Sequence, residues 1–494
     1  MDSQHKTEEA MPVKSNLLIA AIALLSIFLP LHAQQSPPAP QHDMHMNMQP
    51  VEPVYPRLRR TQEQSREKLF TLDDAQRLAA ASNPTLRQTD ADMRAAKARM
   101  QQAGLYPNPS IGYTGDEIRG GSNNGGKQGF FLEQPIVTGG KLSKARNVFE
   151  QETHIAELEA EEQKTRVETS VKIAFYRVLV AQEILELRRG LAQIGQLHLQ
   201  SQHELSRAGQ VDETETLQAE IEVRRLQLAA LEQENMLREQ WRKLAAIIGQ
   251  PNLPQSIVAG DLEHGWPELD EQQILDTIAA QSPATRIADA SSARAAANII
   301  RAKSQVIPDI NLLGGLEYNN EPIGSTPKAT GWEGLAELSV QIPVYNRNQG
   351  NIAESRAELD RAQLEKQRIQ LLLHERAASL LDQYTTAKVV ATEYRDEILP
   401  RAQKANTLIT AKYGLMQATY PSMLDIRRKH FELETEYVQT LETVWTTSLT
   451  LQGFLLTDGL EAPTRSSNLD HAMPETNTPQ PARIVLPTEQ MPLP

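Results

Sequence analysis

The segment QHDMHMNM, residues 41–48, carries side chains that could bind a soft metal ion. Two imidazoles and three thioethers lie close together in this segment: His42, Met44, His45, Met46 and Met48. Thioether sulfur combined with imidazole nitrogen suits Cu(I) and, by the same softness, Ag(I). A compositionally biased linker with no metal affinity can have the same residues. The pattern therefore leaves a metal site and a plain linker both open.

No catalytic motif accompanies this segment. His203-Glu204 and His374-Glu375 each lack the second histidine of a zinc-protease helix. The sequence has no phosphate loop, and its zero cysteines exclude disulfides, thiolate zinc sites and cysteine nucleophiles. The net charge of −13 argues against nucleic acid as a partner, because phosphate binding needs a basic surface. We therefore predict a protein that is not an enzyme and uses no cofactor.

The N-terminus has the features of a secretory signal. Lys14 precedes an apolar run over residues 17–31, and His32-Ala33-Gln34 follows. A cationic start, a short apolar centre and a small residue before polar sequence are typical of a signal peptide. The run is shorter than the roughly 20 residues that span a bilayer as a helix, although a membrane anchor is the alternative. Translation can start at Met1 or at Met11.

The rest of the chain contains an internal duplication. LDDAQRL (72–78) is similar to LDEQQIL (269–275), and EQPIVTGGKLSKAR (133–146) is similar to VQIPVYNRNQGNIAESR (340–356). A period of about 200 residues indicates a tandem pair and not a short-period solenoid. The predicted domains are a signal peptide (1–33), a disordered Met/His/Pro-rich linker (34–68), a first repeat (69–250), a linker (251–267), a second repeat (268–461) and a disordered tail (462–494).

Each repeat is predicted to begin with a helix of roughly 30 residues, over 71–103 and 268–305. Two extended stretches and a very long helix follow. The sequence has no proline between Pro135 and Pro251, which allows an unbroken helix over 141–206. At 1.5 Å per residue this helix would span roughly 100 Å. After turns at Gly209 and Gly414, shorter helices return. In the second repeat we expect helices over 350–412 and 422–456.

The return helix at 212–248 carries two apolar seams at spacings of three, four and seven. Two narrow seams favour a helix with a neighbour on each side, as in a ring of helices. An extended coiled coil or a multi-helix bundle is the alternative. The first seam contains Leu217, Ile221, Leu228 and Leu231, and the second contains Val223, Leu226, Ala230, Leu237, Trp241, Leu244 and Ile248.

The extended stretches, at 108–118, 127–137, 308–319 and 331–344, alternate apolar and polar residues. Each has about the ten-residue length of a transmembrane β-strand, and a half-buried sheet in a soluble domain is the alternative. Four strands cannot close a membrane barrel, so an oligomer would have to share one.

GFFLEQPI (129–136) illustrates the alternation. We expect Phe130, Leu132 and Ile136 to face lipid, Pro135 to end the ladder and Gly139-Gly140 to turn the chain into the long helix. On the opposite, lumen side we expect acids, contributed by Glu133, Glu333 and Glu337.

A signal peptide followed by a duplicated unit of helix, β-hairpin, long helix and return helix resembles the TolC-like outer-membrane efflux proteins. The resemblance covers about residues 70–460. AGLYPNPSIGY (103–113) and LEQPIVTGGKLSKAR (132–146) are most similar to the branch that serves cobalt-zinc-cadmium and copper-silver exporters. The resemblance implies a mainly α protomer with transmembrane β-strands. Three protomers would form a twelve-stranded barrel in the outer membrane, continued through the periplasm by an α-helical barrel.

The resemblance also implies where the partners bind. The turns near Gly209 and Gly414 would form the periplasmic tip that meets an adaptor protein and an inner-membrane resistance-nodulation-division pump. Acidic residues ring the aperture in this family, and Asp425 occupies one such place, whereas Ser422 stands where another aspartate is common. No arginine closely follows Gly414, which puts the latch of some relatives in doubt. Asp212 is acidic in the first turn, and helix N-capping is the simpler interpretation of it.

The sequence thus predicts the exit duct of a tripartite efflux pump for heavy-metal cations, located in the outer membrane with most of the chain in the periplasm. A duct for drugs or for type I protein secretion is the first alternative. A periplasmic coiled-coil adaptor is the second.

Overall fold

The computed structural model describes residues 69–118, 126–209, 211–322 and 328–464. The predicted signal peptide, the Met/His-rich linker and all but the first three residues of the predicted tail lie outside these ranges. In chain order the elements are α1 Leu72–Ser82, α2 Pro84–Ala103, β1 Ser110–Asp116, β2 Lys127–Ile136, α3 Lys141–Arg207, α4 Glu213–Ile248, α5 Glu271–Gln281, α6 Pro283–Ser304, β3 Ile310–Pro322, β4 Ala329–Val340, α7 Gln349–Glu393, a π turn Tyr394–Ile398, α8 Leu399–Gly414 and α9 Tyr420–Gln452.

The first helix of each repeat is broken, contrary to the prediction of single helices over 71–103 and 268–305. A proline stands at the first position of both α2 and α6, where its missing N–H costs nothing. The residue before each proline caps the new helix: the Asn83 side chain accepts from the Thr85 N–H at 2.8 Å, and the Ser282 hydroxyl accepts from the Thr285 N–H at 3.2 Å. A helix-capping residue directly before a proline, Asn83 or Ser282, was the sequence signal that the first helix ends and a second begins.

The long helix α3 is unbroken over 67 residues, as the absence of proline predicts. Gly139 and Gly140 both have φ of +65°, a conformation that favours glycine, and they turn the chain from β2 into α3. The outgoing helix of the second repeat differs from the prediction. A π turn separates α7 from α8, and Pro400 stands directly after it.

The four strands form one antiparallel sheet in the order β1-β2-β3-β4. The register pairs Tyr113 with Phe130 and Phe130 with Leu316. Contrary to the prediction, Pro135 does not end the ladder, because it pairs with Asn311 and the pairing continues for one more residue. β1 pairs with β2 only as far as Glu133, so at Pro135 the strand has a single neighbour and tolerates a missing N–H.

Two apolar clusters hold the helices together. One joins α3, α7 and α9, with Tyr384, Tyr437 and Leu441 almost completely buried. The other joins α1, α3 and α4 around Phe175 and Trp241. Residues 249–270 contact both clusters. Leu262 lies in the first cluster, where its carbonyl accepts a hydrogen bond from the Trp445 indole N–H at 2.9 Å, and Val258 belongs to the second cluster.

Within the described residues, no helix combines the length and the apolar composition needed to cross a bilayer.

Candidate functional site

One face of the sheet is apolar and open to solvent in the protomer. The register places its residues in continuous rows: Ile111 beside Leu132, Phe130 beside Leu316, and Leu312 beside Leu338. Soluble proteins rarely expose a contiguous apolar surface of this kind, and a lipid-facing strand surface requires one. The exposed apolar residues of this face are Ile111, Tyr113, Phe130, Leu132, Ile136, Leu312, Leu316, Tyr318, Trp332, Leu338 and Val340.

Aromatic residues mark both ends of this face. Near one end, Tyr113 packs edge-on against Phe130 and Tyr318 packs edge-on against Trp332, with ring centroids 5.6 and 5.5 Å apart. Beyond the other end, Tyr345 is 92% exposed and Tyr106 is 72% exposed. Amphipathic rings at both borders of an apolar band are typical of the two membrane interfaces.

The opposite face of the sheet carries carboxylates. Glu317 pairs directly with Glu333, and Leu313 lies between Glu133 and Glu337 in the register. Glu333 is partly compensated, since Lys127 Nζ lies 3.9 Å from it and the Asn319 amide donates to it at 3.1 Å. The predicted lumen acids therefore share one face, together with Glu317, and the face has a surplus of negative charge.

Phe131 is an aromatic residue on the acidic face of the sheet, and its ring lies over two glycines of the neighbouring strands. A Cβ on Gly112 would lie 2.3 Å from the Phe131 ring, and a Cβ on Gly315 would lie 3.3 Å from the Phe131 side chain. The ring thus covers the strand backbone where neither partner has a side chain, as aromatic residues do beside strand glycines.

At the far end of the helices, the first turn keeps the predicted glycine. Gly209 has φ of +71° after the last turn of α3, and no atom would contact a Cβ there. Asp212 is the N-cap of α4, and its carboxylate accepts from the Glu213 N–H at 2.8 Å. The carboxylate therefore stabilises the start of the helix, and Asp212 is exposed at the turn.

In the second turn, the residue with a left-handed backbone conformation is Met416 and not Gly414. Gly414 is the last residue of α8 and is not in the left-handed region, whereas Met416 has φ of +58° and is 93% exposed. The Gln417 N–H donates to the Lys412 carbonyl at 2.8 Å, which closes the turn around Met416. Ser422 is exposed in the first turn of α9.

Asp425 is paired with a cation that the sequence prediction missed. Arg428, one turn later in α9, contacts the Asp425 carboxylate at 2.7 Å and the Glu222 carboxylate of α4 at 3.7 Å. Arg428 therefore links the α3–α4 hairpin to the α8–α9 hairpin. The i, i+3 spacing of Asp425 and Arg428 was the available signal, but only the fold brings Glu222 near them.

A ring stack makes a second link between the same hairpins. The rings of His198 in α3 and Tyr420 in α9 lie nearly parallel, with 5° between their planes. Burial lowers the pKa of His198 to about 4, and burial raises the pKa of Tyr420. Both rings are therefore neutral near pH 7, which suits close stacking. No sequence spacing points to this pair, because the two residues are far apart in the chain.

The two seams of α4 have different environments. The second seam packs on α3, with Val223, Leu237, Trp241, Leu244 and Ile248 all buried. The first seam remains open: Leu217, Ile221, Leu228 and Leu231 are 51–62% exposed. An apolar heptad seam without a partner in its own protomer indicates a surface that another helix covers.

The described residues hold no group of three or more His, Asp or Glu side chains arranged for a metal ion. The predicted soft-metal ligands His42, Met44, His45, Met46 and Met48 lie outside the described ranges.

Comparisons with known proteins agree with this arrangement. Residues 76–250 match the profile of the family described as Outer membrane efflux protein. The chain is 23% identical over 386 residues to the cobalt-zinc-cadmium resistance protein CzcC of Cupriavidus metallidurans, covering 78% of this chain and 90% of that protein.

Two solved structures show the fold. CusC, described as forming a transmembrane channel, superposes with a TM-score of 0.64 at 16% identity, covering 83% of this chain and 98% of its own. The open-state MtrE outer-membrane channel of Neisseria gonorrhoeae gives a TM-score of 0.62 at 16% identity, covering 80% of this chain and 90% of its own.

Proposed function

We propose that the chain is a member of the family of outer-membrane efflux proteins, and that it is the exit duct through which a tripartite pump exports heavy-metal cations. The family comprises channel proteins and not enzymes, with strands in the outer membrane and long helices in the periplasm. The apolar strand face, bordered by aromatic residues, is the part that contacts outer-membrane lipid.

The metal cargo is supported by one observation above the others. The relative matched over most of both chains is a cobalt-zinc-cadmium resistance protein. The acidic sheet face is consistent with this cargo, because rings of Asp and Glu in a pore favour cations. Glu133, Glu317, Glu333 and Glu337 would supply such rings if the acidic face lines the lumen.

A homotrimer completes the duct. Four strands per protomer are too few for a membrane barrel, and three protomers provide twelve. The exposed seam of α4 lies at one edge of the helix array, since α4 packs mainly on α3 and α1 and contacts α9 through the Glu222–Arg428 pair. In the proposed trimer this edge contacts the α7–α8 edge of the neighbouring protomer, where Leu371 and Leu408 are exposed.

The aperture residues stay within the same proposal. Gly209, Asp212, Gly414, Ser422 and Asp425 would surround the periplasmic entrance, where the helical turns meet an adaptor protein and, through it, the resistance-nodulation-division pump. Because Arg428 pairs with Asp425, the acidic ring at this entrance would carry less charge than Asp425 alone would give.

A susceptibility panel tests the cargo. A strain lacking this chain would be exposed to zinc, cobalt, cadmium, copper and silver beside dyes and antibiotics, and complemented with the intact gene. Hypersensitivity to metals alone supports the proposal, and a copper and silver bias would favour a role for His42, Met44, His45, Met46 and Met48 in capturing the metal. Hypersensitivity confined to dyes and antibiotics would refute the metal cargo and leave a drug duct.

A further inference from the structure

The exposed seam of α4 changes from apolar to basic along the helix. Its last apolar residue is Leu231, which is 51% exposed. Continued at steps of four, three and four residues, the same column contains Asn235, Arg238 and Arg242, and all three are exposed. A helix that covers this column would need an apolar residue near Leu231 and an acid near the arginines.

Within the described part of the chain, Arg238 takes part in no salt bridge. The neighbouring acids Glu234 and Glu239 are each paired with another cation of the same protomer, at 3.6 and 2.7 Å. Arg238 donates a hydrogen bond to the uncharged side chain of Asn235. Covering this guanidinium with a second helix is therefore unfavourable unless that helix supplies a carboxylate.

The open edge of α7 carries a complementary column. Val389 is 58% exposed, and Thr385 and Asp382, one and two turns earlier, are exposed as well. Asp382 takes part in no salt bridge with another described residue. Because α7 runs towards the helical turns and α4 runs away from them, both columns have the same order from the turns upward. Each has an apolar residue, then an uncharged polar residue, then a charge, and the two charges are opposite.

The two repeats begin their helices at equivalent residues. α3 begins after Gly140 and α7 begins after Asn348, and both N-cap residues are left-handed, with φ of +65° and +56°. α4 begins after Asp212 and α9 begins after Thr419, and both of these N-caps are extended. Equivalent residues are therefore 208 positions apart in the outgoing helices and 207 positions apart in the return helices.

The protomer itself shows how an outgoing helix packs on a return helix of the other repeat. α3 packs on α9, where Arg177 lies 3.6 Å from Glu442. The shifts between the repeats place Thr385 of α7 at the position of Arg177 and Asn235 of α4 at the position of Glu442. Since α4 and α7 lie at opposite edges of the helix array, they repeat this packing between two copies of the chain.

We propose that α4 packs antiparallel on α7 of a second copy, and that Arg238 forms a salt bridge with Asp382 of that copy. Both residues lie three positions from the Asn235–Thr385 contact, on the side away from the helical turns. Four positions towards the turns, Leu231 packs on Val389, so each of these exposed apolar side chains is covered.

One register satisfies both the apolar and the charged contact. Sliding α4 by one turn in one direction brings Arg242 to Asp382 but places Asn235 on Val389. Sliding it in the other direction separates Asp382 from both arginines. The apolar residues thus stabilise the contact and the charges fix its register. The contact rests on the proposed trimer, and it names the residues through which the copies recognise one another.

Disulfide crosslinking tests the register, and the chain has no cysteine of its own to interfere. Asn235→Cys and Thr385→Cys are introduced together into the full-length protein, which is oxidised in isolated outer membranes. We expect covalent dimers and trimers on non-reducing gels. Asn235→Cys combined with Ala378→Cys is the matched control, because Ala378 lies on the same column but one heptad, roughly 10 Å, further along α7. That distance is too long for a disulfide, so the control should crosslink roughly tenfold less.

Charge reversal tests the ion pair itself. Arg238→Glu and Asp382→Arg each place like charges at the contact, and each should reduce the fraction of trimer that survives heating about fivefold. The two substitutions together restore opposite charges and should recover most of the loss. Lys243→Glu is the matched control, because Lys243 is exposed on α4 outside the column, and it should leave the trimer as stable as that of the wild type.

The outcomes separate this contact from the duct function. If Asn235→Cys with Thr385→Cys forms heat-resistant trimers but no crosslink, the contact is wrong and the trimeric duct stands. Trimers of equal stability in both single reversals and the wild type would also overturn it. A wild-type chain that forms no trimer would contradict the proposed duct together with this contact.

Discussion

Ile221 lies in the middle of the exposed α4 seam, and replacing it by glutamate should break the proposed trimer. Ile221 is 62% exposed in the protomer and its three seam neighbours are 51–59% exposed, so roughly half of each side chain remains to be buried. A fully buried side chain of this size contributes about 1.5–3 kcal/mol, so the four contribute on the order of 4 kcal/mol per interface. That figure is an upper estimate, because it assumes complete burial.

Ile221→Glu removes about 1 kcal/mol of this burial from each of three interfaces. It also places a carboxylate in an apolar contact, which costs several kcal/mol more unless the group finds a partner. We therefore expect a folded protomer with native helix content that no longer forms a trimer. Native mass spectrometry from detergent and heat-resistant trimer bands on gels measure this directly.

Gln218→Glu is the matched control, since Gln218 is exposed on the same helix but lies outside the seam. It adds the same charge and should leave the trimer intact. If Ile221→Glu and Gln218→Glu give trimers of equal stability, the α4 seam is not the protomer interface and the reasoning from its exposure is wrong.

Three further predictions concern the strands and the helix ends. Leu132→Arg puts a charge on the proposed lipid face, should cost about 2–4 kcal/mol, and should reduce the amount of folded protein recovered from outer-membrane fractions. Gly112→Val drives a side chain into the Phe131 ring and should lower the thermal unfolding midpoint, whereas Gly112→Val combined with Phe131→Ala should recover part of the loss. The His198–Tyr420 stack should weaken as pH falls from about 6.5 towards 4. When the stack is open, the hydrated His198 imidazole has its ordinary pKa and is protonated at a higher pH than the buried ring, so acid favours the open form. At pH 5 the stack should have lost about 1 kcal/mol of stability after allowing for partial exposure of His198. Local hydrogen exchange corrected for intrinsic rates should show it in the wild type and not in His198→Phe.

Much of the fold follows from local signals in the sequence. The 67-residue α3 follows from the absence of proline, and its start follows from two adjacent glycines. The strand faces follow from alternation, because a one-residue slip would turn Leu132 to the acidic side. These features depend on neighbours within a few residues, which is the range over which propensity and periodicity act.

The predictions that failed concern residues whose structure depends on a second segment of the chain. Pro135 pairs within the ladder because β1 has already ended beside it, which the sequence of β2 alone does not show. The helix expected over 350–412 contains a π turn at Tyr394–Ile398, where Tyr394 stacks on Tyr437 of α9. Arg428 was missed because its second partner, Glu222, lies in the other repeat.

The candidate site was only partly predictable for the same reason. The end of the long helix pointed to Gly209 and the family resemblance pointed to Asp425, whereas nothing in the sequence pointed to the left-handed conformation of Met416. The interaction between His198 and Tyr420 depends on the α3–α9 packing and has no local signal.

Metal release from living cells is a direct test of whether the chain is a metal exit duct. Cells with and without this chain would be loaded with zinc, cobalt, cadmium or copper, washed, and assayed over time for retained metal by inductively coupled plasma mass spectrometry. We expect that cells lacking the chain retain at least one of these metals, that the intact chain restores release, and that Ile221→Glu does not. Equal release from cells with and without the chain, for every metal, would contradict the assignment of a metal exit duct.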